Sequence, residues 1–278
     1  MNTENTPEST SADNGFAPAV QPVAATTRIT RETDIFCGET SIPTRGDVMP
    51  AFYARPRENA GTFPVILVVQ EIFGVHEHIR DICRRLAHEG YLAIAPELYF
   101  RQGNAADYDS VTALLQELVS QVPDNQVLAD LDHVASWASR HHGDIRNMAI
   151  TGFCWGGRIT WLYAAHNPQI KAAVAWYGKL VGEKTLKQPK QPVDIATALT
   201  TPVLGLYGAK DESIPQESIE TMRKALHAAN SQAEIVVYPD AGHAFNADYR
   251  ASYHAESAAD GWQRMLNWFR QYGVGKEA

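Results

Sequence analysis

Cysteine is scarce. Cys37, Cys83 and Cys154 are the three in 278 residues, an odd number at spacings that build no disulfide framework. That fits a reducing compartment, and without a C-x-x-C pair a thiol-redox role has little to stand on. Long hydrophobic runs are also missing: no window approaches the roughly 18 apolar residues that a spanning helix needs. Positive charge is in deficit, with 24 Lys and Arg against 32 Asp and Glu and a net charge of -8. Such a balance argues against a general binder of nucleic acid or anionic membrane, though one basic pocket for a small anion would survive it. There is no H-E-x-x-H, no Cys–His cluster and no Gly-rich phosphate loop, so neither a metal nor another cofactor is expected. The first residues carry no basic n-region followed by an apolar stretch, so no secretory signal is read there. Residues 1–27, polar and Pro-containing, read as a disordered or loosely attached tail, and the protein as cytoplasmic.

What is present is an ordinary globular composition, 45% hydrophobic and 20% charged, enough for one sizeable core without staples. DIFCGETSIP and MPAFYARP, joined by TRGDV with Gly46-Asp47 at the turn, predict an N-terminal β-hairpin. Short apolar runs follow at 64–69, 91–95, 147–151, 171–177, 202–207 and 233–238. Unbroken runs of that length suit parallel strands covered on both faces. Between them, 78–90, 126–142, 158–166, 217–230 and 252–273 carry helical periodicity. The alternation predicts an α/β fold: one mostly parallel, doubly wound sheet flanked by helices, forming a single domain over 28–278. Residues 179–199, with Lys179, Lys184, Lys187 and Lys190 among Pro and Gln, break the rhythm. They read either as a solvated loop or as a rim that touches substrate.

The most informative segment is NMAITGFCWGGRITWLYAAH. A strand-like run ends at Thr151, Gly152-Phe153-Cys154-Trp155-Gly156 follows, and a helical run starts at once. This is G-x-S-x-G with Cys for Ser, in the strand–turn–helix setting of a nucleophile elbow. Gly152 and Gly156 lack a Cβ, so strand and helix can close around the nucleophile. The helix N-terminus would favour a thiolate. A buried structural cysteine beside a Gly-rich turn is the plainer alternative.

In such folds an acid and then a histidine follow the nucleophile, each just beyond a strand. Asp211 lies four residues after Tyr207, and His243 five after Tyr238. His243 would take the Cys154 proton and Asp211 would orient the ring; Asp240 is a competing acid. The loop QEIFG after the first parallel strand nominates the backbone N–H of Ile72, together with that of Trp155, as an oxyanion hole.

QEIFG at 70–74, APELYFR at 95–101, GFCWGG at 152–157, YGAKD at 207–211 and AGHAF at 241–245 resemble the dienelactone hydrolase family of α/β-hydrolases, the carboxymethylenebutenolidases. The resemblance spans about residues 35–272. It implies hydrolysis of a small ester or lactone by a Cys154–His243–Asp211 triad. It also implies that Glu71 gates the nucleophile, holding the thiol's proton at rest and helping the thiolate form when substrate arrives. Of the family's two substrate-anchoring arginines, Arg101 matches the first, whereas Ala247 occupies the place of the second. Arg250 is near enough in sequence to stand in. Phe73, Tyr99 and Phe245, with Trp155 and Tyr249, are expected to line an apolar pocket. The missing arginine keeps a second reading open, a general carboxylesterase or thioesterase on the same triad. A non-catalytic ligand-binding protein is a third. The expected partner is a small-molecule substrate rather than nucleic acid or membrane, and the expected state is a monomer or weak homodimer.

Overall fold

In the computed structural model, which describes residues 25–57 and 61–275, the chain folds around one eight-stranded sheet. The strands are β1 (Ile35–Pro43), β2 (Val48–Pro56), β3 (Phe63–Val69), β4 (Leu92–Pro96), β5 (Gly143–Phe153), β6 (Ile170–Trp176), β7 (Val203–Gly208) and β8 (Glu234–Tyr238). They lie in the order β1-β2-β4-β3-β5-β6-β7-β8. The expected hairpin is β1 and β2, paired antiparallel, and β2 joins the rest antiparallel to β4. Every other neighbour is parallel. All seven residues of β3, all five of β4 and all six of β7 are buried, as strands covered on both faces require.

Among the described residues five helices of twelve or more residues cover the sheet: α1 (Glu77–His88), α2 (Asp124–Ser139), α3 (Trp155–His166), α4 (Gln216–Ala228) and α5 (Ala255–Gln271). Each stands where helical periodicity predicted one, with ends shifted by up to three residues. The expected tail falls mostly on residues outside the described ones, but Thr26 lies within them and its hydroxyl donates to the Asp248 carbonyl.

Chain order and strand order together place the site. From β3 the chain steps outward to β4, then returns past β3 to β5 and continues the other way. With right-handed crossovers this reversal puts α1 on the opposite face from α2 and α3 and makes the C-terminal ends of β3 and β5 a topological switch point, where ligands bind in open α/β sheets. Val69 is in register with Gly152, and Phe153 with Trp176. The register therefore brings the segments after three strands side by side: Glu71 after β3, Cys154 after β5 and Tyr177 after β6.

Candidate active site

Cys154 sits at φ 56° and ψ -115° between β5 and α3, a left-handed conformation that costs a non-glycine residue of order 1–3 kcal/mol. The surroundings hold it there. Its N–H donates to the Trp176 carbonyl at 3.0 Å, and its carbonyl accepts from the Gly157 N–H at 3.0 Å. Helix and strands pack without space for a methyl group: a Cβ on Gly156 would stand 2.4 Å from the Gln70 carbonyl oxygen and 2.5 Å from that of Val69.

His243 Nε2 lies 3.3 Å from Cys154 Sγ, and His243 Nδ1 lies 2.7 Å from Asp211 Oδ2. The three residues come from the ends of β5, β7 and β8, 32 to 89 positions apart in the sequence, and meet in one line of contacts. Asp211 is itself fixed, its Oδ1 accepting from the Ser213 N–H at 2.9 Å and the Ser213 hydroxyl at 2.6 Å. Asp240, the competing acid, pairs instead with Lys210 at the surface.

Charge follows from these contacts. Burial works against a charged His243 ring, but the hydrogen bonds to Asp211 and to the Cys154 sulfur outweigh it and push its pKa up to about 10. Burial acts on Asp211 as well, and there the bond with His243 prevails and lowers it.

Glu71 borders the same cavity as Cys154 but bonds elsewhere. Its Oε2 accepts from the Tyr249 hydroxyl at 2.7 Å and lies 3.1 Å from His76 Nε2. Burial alone would raise its pKa, yet these bonds bring it down to about 2, so it is a carboxylate. Burial lowers His76; a neutral ring protonated on Nε2 still donates. His76 and Tyr249 were not assigned this part by sequence reasoning. The available signal was His76 five residues after Glu71, in a V-H-E-H run that had no metal-site spacing.

The cavity measures about 560 Å³, an ordinary size for a small-molecule site. Ile72, Phe73, Trp155 and Arg250 line it alongside Cys154, Glu71 and His243. The backbone N–H groups of Ile72 and Trp155 have no hydrogen-bond acceptor among the described residues. Residues 179, 182, 183, 185, 188 and 191 also line the cavity, so the 179–199 segment forms part of its wall.

Four of the expected substrate contacts stand elsewhere, one of them Tyr249, which is buried against Glu71 and does not line the cavity. Arg101 is not at the cavity: its guanidinium forks onto Asp130 at 2.7 and 3.1 Å and also donates to Asp47 and Thr44. Two carboxylates outcompete any open position for a guanidinium. Tyr99 and Phe245 are 1% and 0% exposed and do not line the cavity. Tyr99 packs against Trp155, and Phe245 against Trp176 and Tyr177, so both support the wall from behind. Ala247 is buried. Arg250, by contrast, reaches the cavity, over the Phe73 ring, with no acidic partner among the described residues.

The profile of the dienelactone hydrolase family matches residues 49–273. The chain belongs to that family. A protein of Escherichia coli K12, provisionally named a carboxymethylenebutenolidase, is 70% identical over 264 residues, 95% of this chain and 97% of its own length. The crystal structure of a provisionally named dienelactone hydrolase from Klebsiella pneumoniae superposes with a TM-score of 0.85 at 74% identity, covering 86% of this chain and 99% of that one. An acylaminoacyl peptidase of Pyrococcus horikoshii shares the fold alone, with a TM-score of 0.69 at 14% identity over 88% of this chain and 43% of its own. As a dienelactone hydrolase family member, the chain is a hydrolase of lactone or ester bonds on an α/β-hydrolase fold. No helix among the described residues is long and apolar enough to cross a membrane.

Proposed function

We propose that Cys154 is the nucleophile of a hydrolase acting on a small ester or lactone. The observation that carries this reading is the single line of contacts from Cys154 Sγ through His243 to Asp211 at the mouth of a cavity. The sulfur attacks the acyl carbon, and the N–H groups of Ile72 and Trp155 receive the charge that develops on the carbonyl oxygen. His243 protonates the leaving alkoxide, a thioester forms on Cys154, and His243 then takes a proton from the water that releases the acid. Asp211 keeps the ring oriented throughout. Glu71 bonds Tyr249 and His76 rather than the sulfur, so it gates by charge instead of holding the thiol's proton: a carboxylate lining the same cavity disfavours a second anion there, and protonated His243 offsets it.

A general carboxylesterase or thioesterase activity is the second reading. The commitment of Arg101 to Asp130 and the buried Ala247 favour it, because they remove both members of a two-arginine carboxylate clamp. Arg158, which also lines the cavity, is clamped on Asp124, so Arg250 is the cavity guanidinium that has no acidic partner among the described residues and can take an anionic group. We infer a cytoplasmic enzyme working as a monomer or weak homodimer.

Mass spectrometry of protein trapped with an activated ester tests the nucleophile. Acyl label is expected on Cys154; label confined to Cys37 or Cys83 overturns the reading. Comparing kcat/KM on dienelactone and on neutral esters separates the two substrate readings.

A further inference from the structure

A stretch of irregular helix borders the cavity at 111–121: a turn of α-helix at Val111–Ala113, a π-helical turn at Leu114–Leu118 and a 3₁₀ turn at Val119–Gln121. Its sequence is apolar on two sides. Leu114 and Leu118 are fully buried in the core, which is all that a surface helix needs for docking. Val111, Leu115 and Val119, spaced four apart, instead line the cavity, with Val111 and Leu115 38% and 43% exposed. Val119 also joins the core, but Val111 and Leu115 are left exposed and add nothing to it. A π-helical turn is itself rare and is frequently found at functional sites.

The other wall carries exposed apolar residues next to its lining positions. Among the described residues six large hydrophobic side chains are left exposed: Ile29, Val48, Val111, Leu115, Val181 and Leu186. Four of them stand on the two segments that border one cavity, which is not the scatter of single residues seen on ordinary surfaces. Val181 adjoins the lining Gly182, and Leu186, fully exposed, adjoins the lining Thr185.

The two walls are tied to each other. The Asp124 N–H, just past the helical stretch, donates to the Lys187 carbonyl at 2.8 Å, and the Lys187 ammonium donates to Gln121. Buried Arg158 clamps Asp124 at 2.7 and 2.8 Å and also bonds Gln191 at 2.8 Å. The apolar residues therefore hold fixed positions around an opening that leads to Cys154.

We propose that this mouth is a subsite for an extended aliphatic arm, so that the substrate is an ester or lactone bearing a hydrophobic chain rather than a compact polar lactone. The inference deepens the ester-hydrolase reading of Cys154 and rests on it. The continuity of the stripe with the cavity assigns the arm to the substrate.

The test is a series of p-nitrophenyl esters, acetate, butyrate, hexanoate and octanoate, with the full chain. In the wild type kcat/KM is expected to rise about two- to fourfold per added methylene over the first several carbons, the upper figure being full burial of a methylene. Substituting the two exposed stripe residues, Val111→Ser with Leu115→Ser, is expected to cut the hexanoate-to-acetate ratio by about tenfold. Leu115→Gln alone lowers it in the same direction should the double variant fail to fold. Val48→Ser, an exposed apolar residue on β2 away from the cavity, keeps the wild-type ratio. A flat series in the wild type, or an unaltered ratio in the stripe variants, overturns the subsite. A flat series with a concentration-dependent dimer broken by the double variant assigns the stripe to a second copy and overturns it too. Cleavage of no ester at all, or undiminished cleavage by Cys154→Ala, strikes instead at the ester-hydrolase reading itself.

Discussion

At the scale of single residues the site is a chain of donors and acceptors in which each member sets the state of the next. Ser213 and the His243 ring hold Asp211 ionised, Asp211 and the sulfur hold His243 protonated, and the elbow holds Cys154 against the ring. Cys154→Ala is expected to lower kcat/KM on any cleaved ester by about 10³-fold or more, as loss of one member of a cooperating set does; steady-state kinetics at saturating protein purity checks it. Asp211→Asn leaves the shape intact but frees His243 to turn or change tautomer. A fall of about 10³- to 10⁴-fold in kcat is expected, with KM little changed.

The His243 pKa gives a stability prediction with a definite sign. Its folded value, about 10, lies above its unperturbed 6.5, so the folded state binds the extra proton between these values. Its contribution is fully present below about pH 6.5 and is lost as the pH rises through about 10. The Tm difference between wild type and His243→Gln should therefore shrink on going from pH 6 to pH 10.5, measured by calorimetry in buffers of matched ionic strength. A difference that grew with pH would contradict the paired imidazolium.

At the scale of elements the site depends on how closely α3 approaches β3. The Cβ of Gly156→Ala would fall 2.4 Å from a main-chain oxygen that has nowhere to go, so α3 must shift outward and carry Trp155 and Cys154 with it. A loss of about 1–3 kcal/mol of stability is expected from such overpacking. A larger proportional loss of kcat than of substrate binding should accompany it, read by urea unfolding and by kinetics on the folded variant. Arg158 makes the complementary case. It is 4% exposed and satisfied by Asp124, Gln191 and the Lys190 carbonyl. Arg158→Met strands the Asp124 carboxylate, and breaking a buried pair by removing one partner costs about 3–5 kcal/mol. The 179–191 wall should loosen first, giving faster amide exchange there than in β3 or β5.

At the scale of the whole molecule one continuous core runs beneath the sheet and the helices, from Ile35 in β1 to Val274 beyond α5. With no second core among the described residues to unfold separately, near-UV and far-UV circular dichroism are expected to report coincident urea transitions. Non-coincident transitions would mean that the β1–β2 hairpin or the C-terminal helix melts as its own unit.

Much of this was written in local patterns. Strands covered on both faces announce themselves as unbroken runs of Val, Ile and Ala, and amphipathic helices as apolar residues at intervals of three and four, because burial acts on each element's own periodicity. The elbow was legible for the same reason: close approach of strand and helix demands glycine at two set positions, and a nucleophile between them has one place to point. The order of nucleophile, acid and histidine along the chain follows from connectivity, which sequence carries in full.

The rest needed the folded chain. Whether Asp211 or Asp240 faces His243 is a matter of which side of a loop turns inward. Whether Arg101 serves a substrate depends on Asp130 and Asp47, 29 and 54 residues away, claiming its guanidinium first. Tyr99 and Phe245 have the composition of pocket walls and the positions of buttresses. Glu71, in turn, is held by Tyr249, 178 residues distant. The sequence by itself determined the fold, the elbow and the chemistry available at the sheet edge, since those rest on periodicity and chain order. Only the tertiary structure decided what each charged group pairs with and which apolar residues face the cavity, because pairing and burial are settled among residues that the sequence keeps far apart.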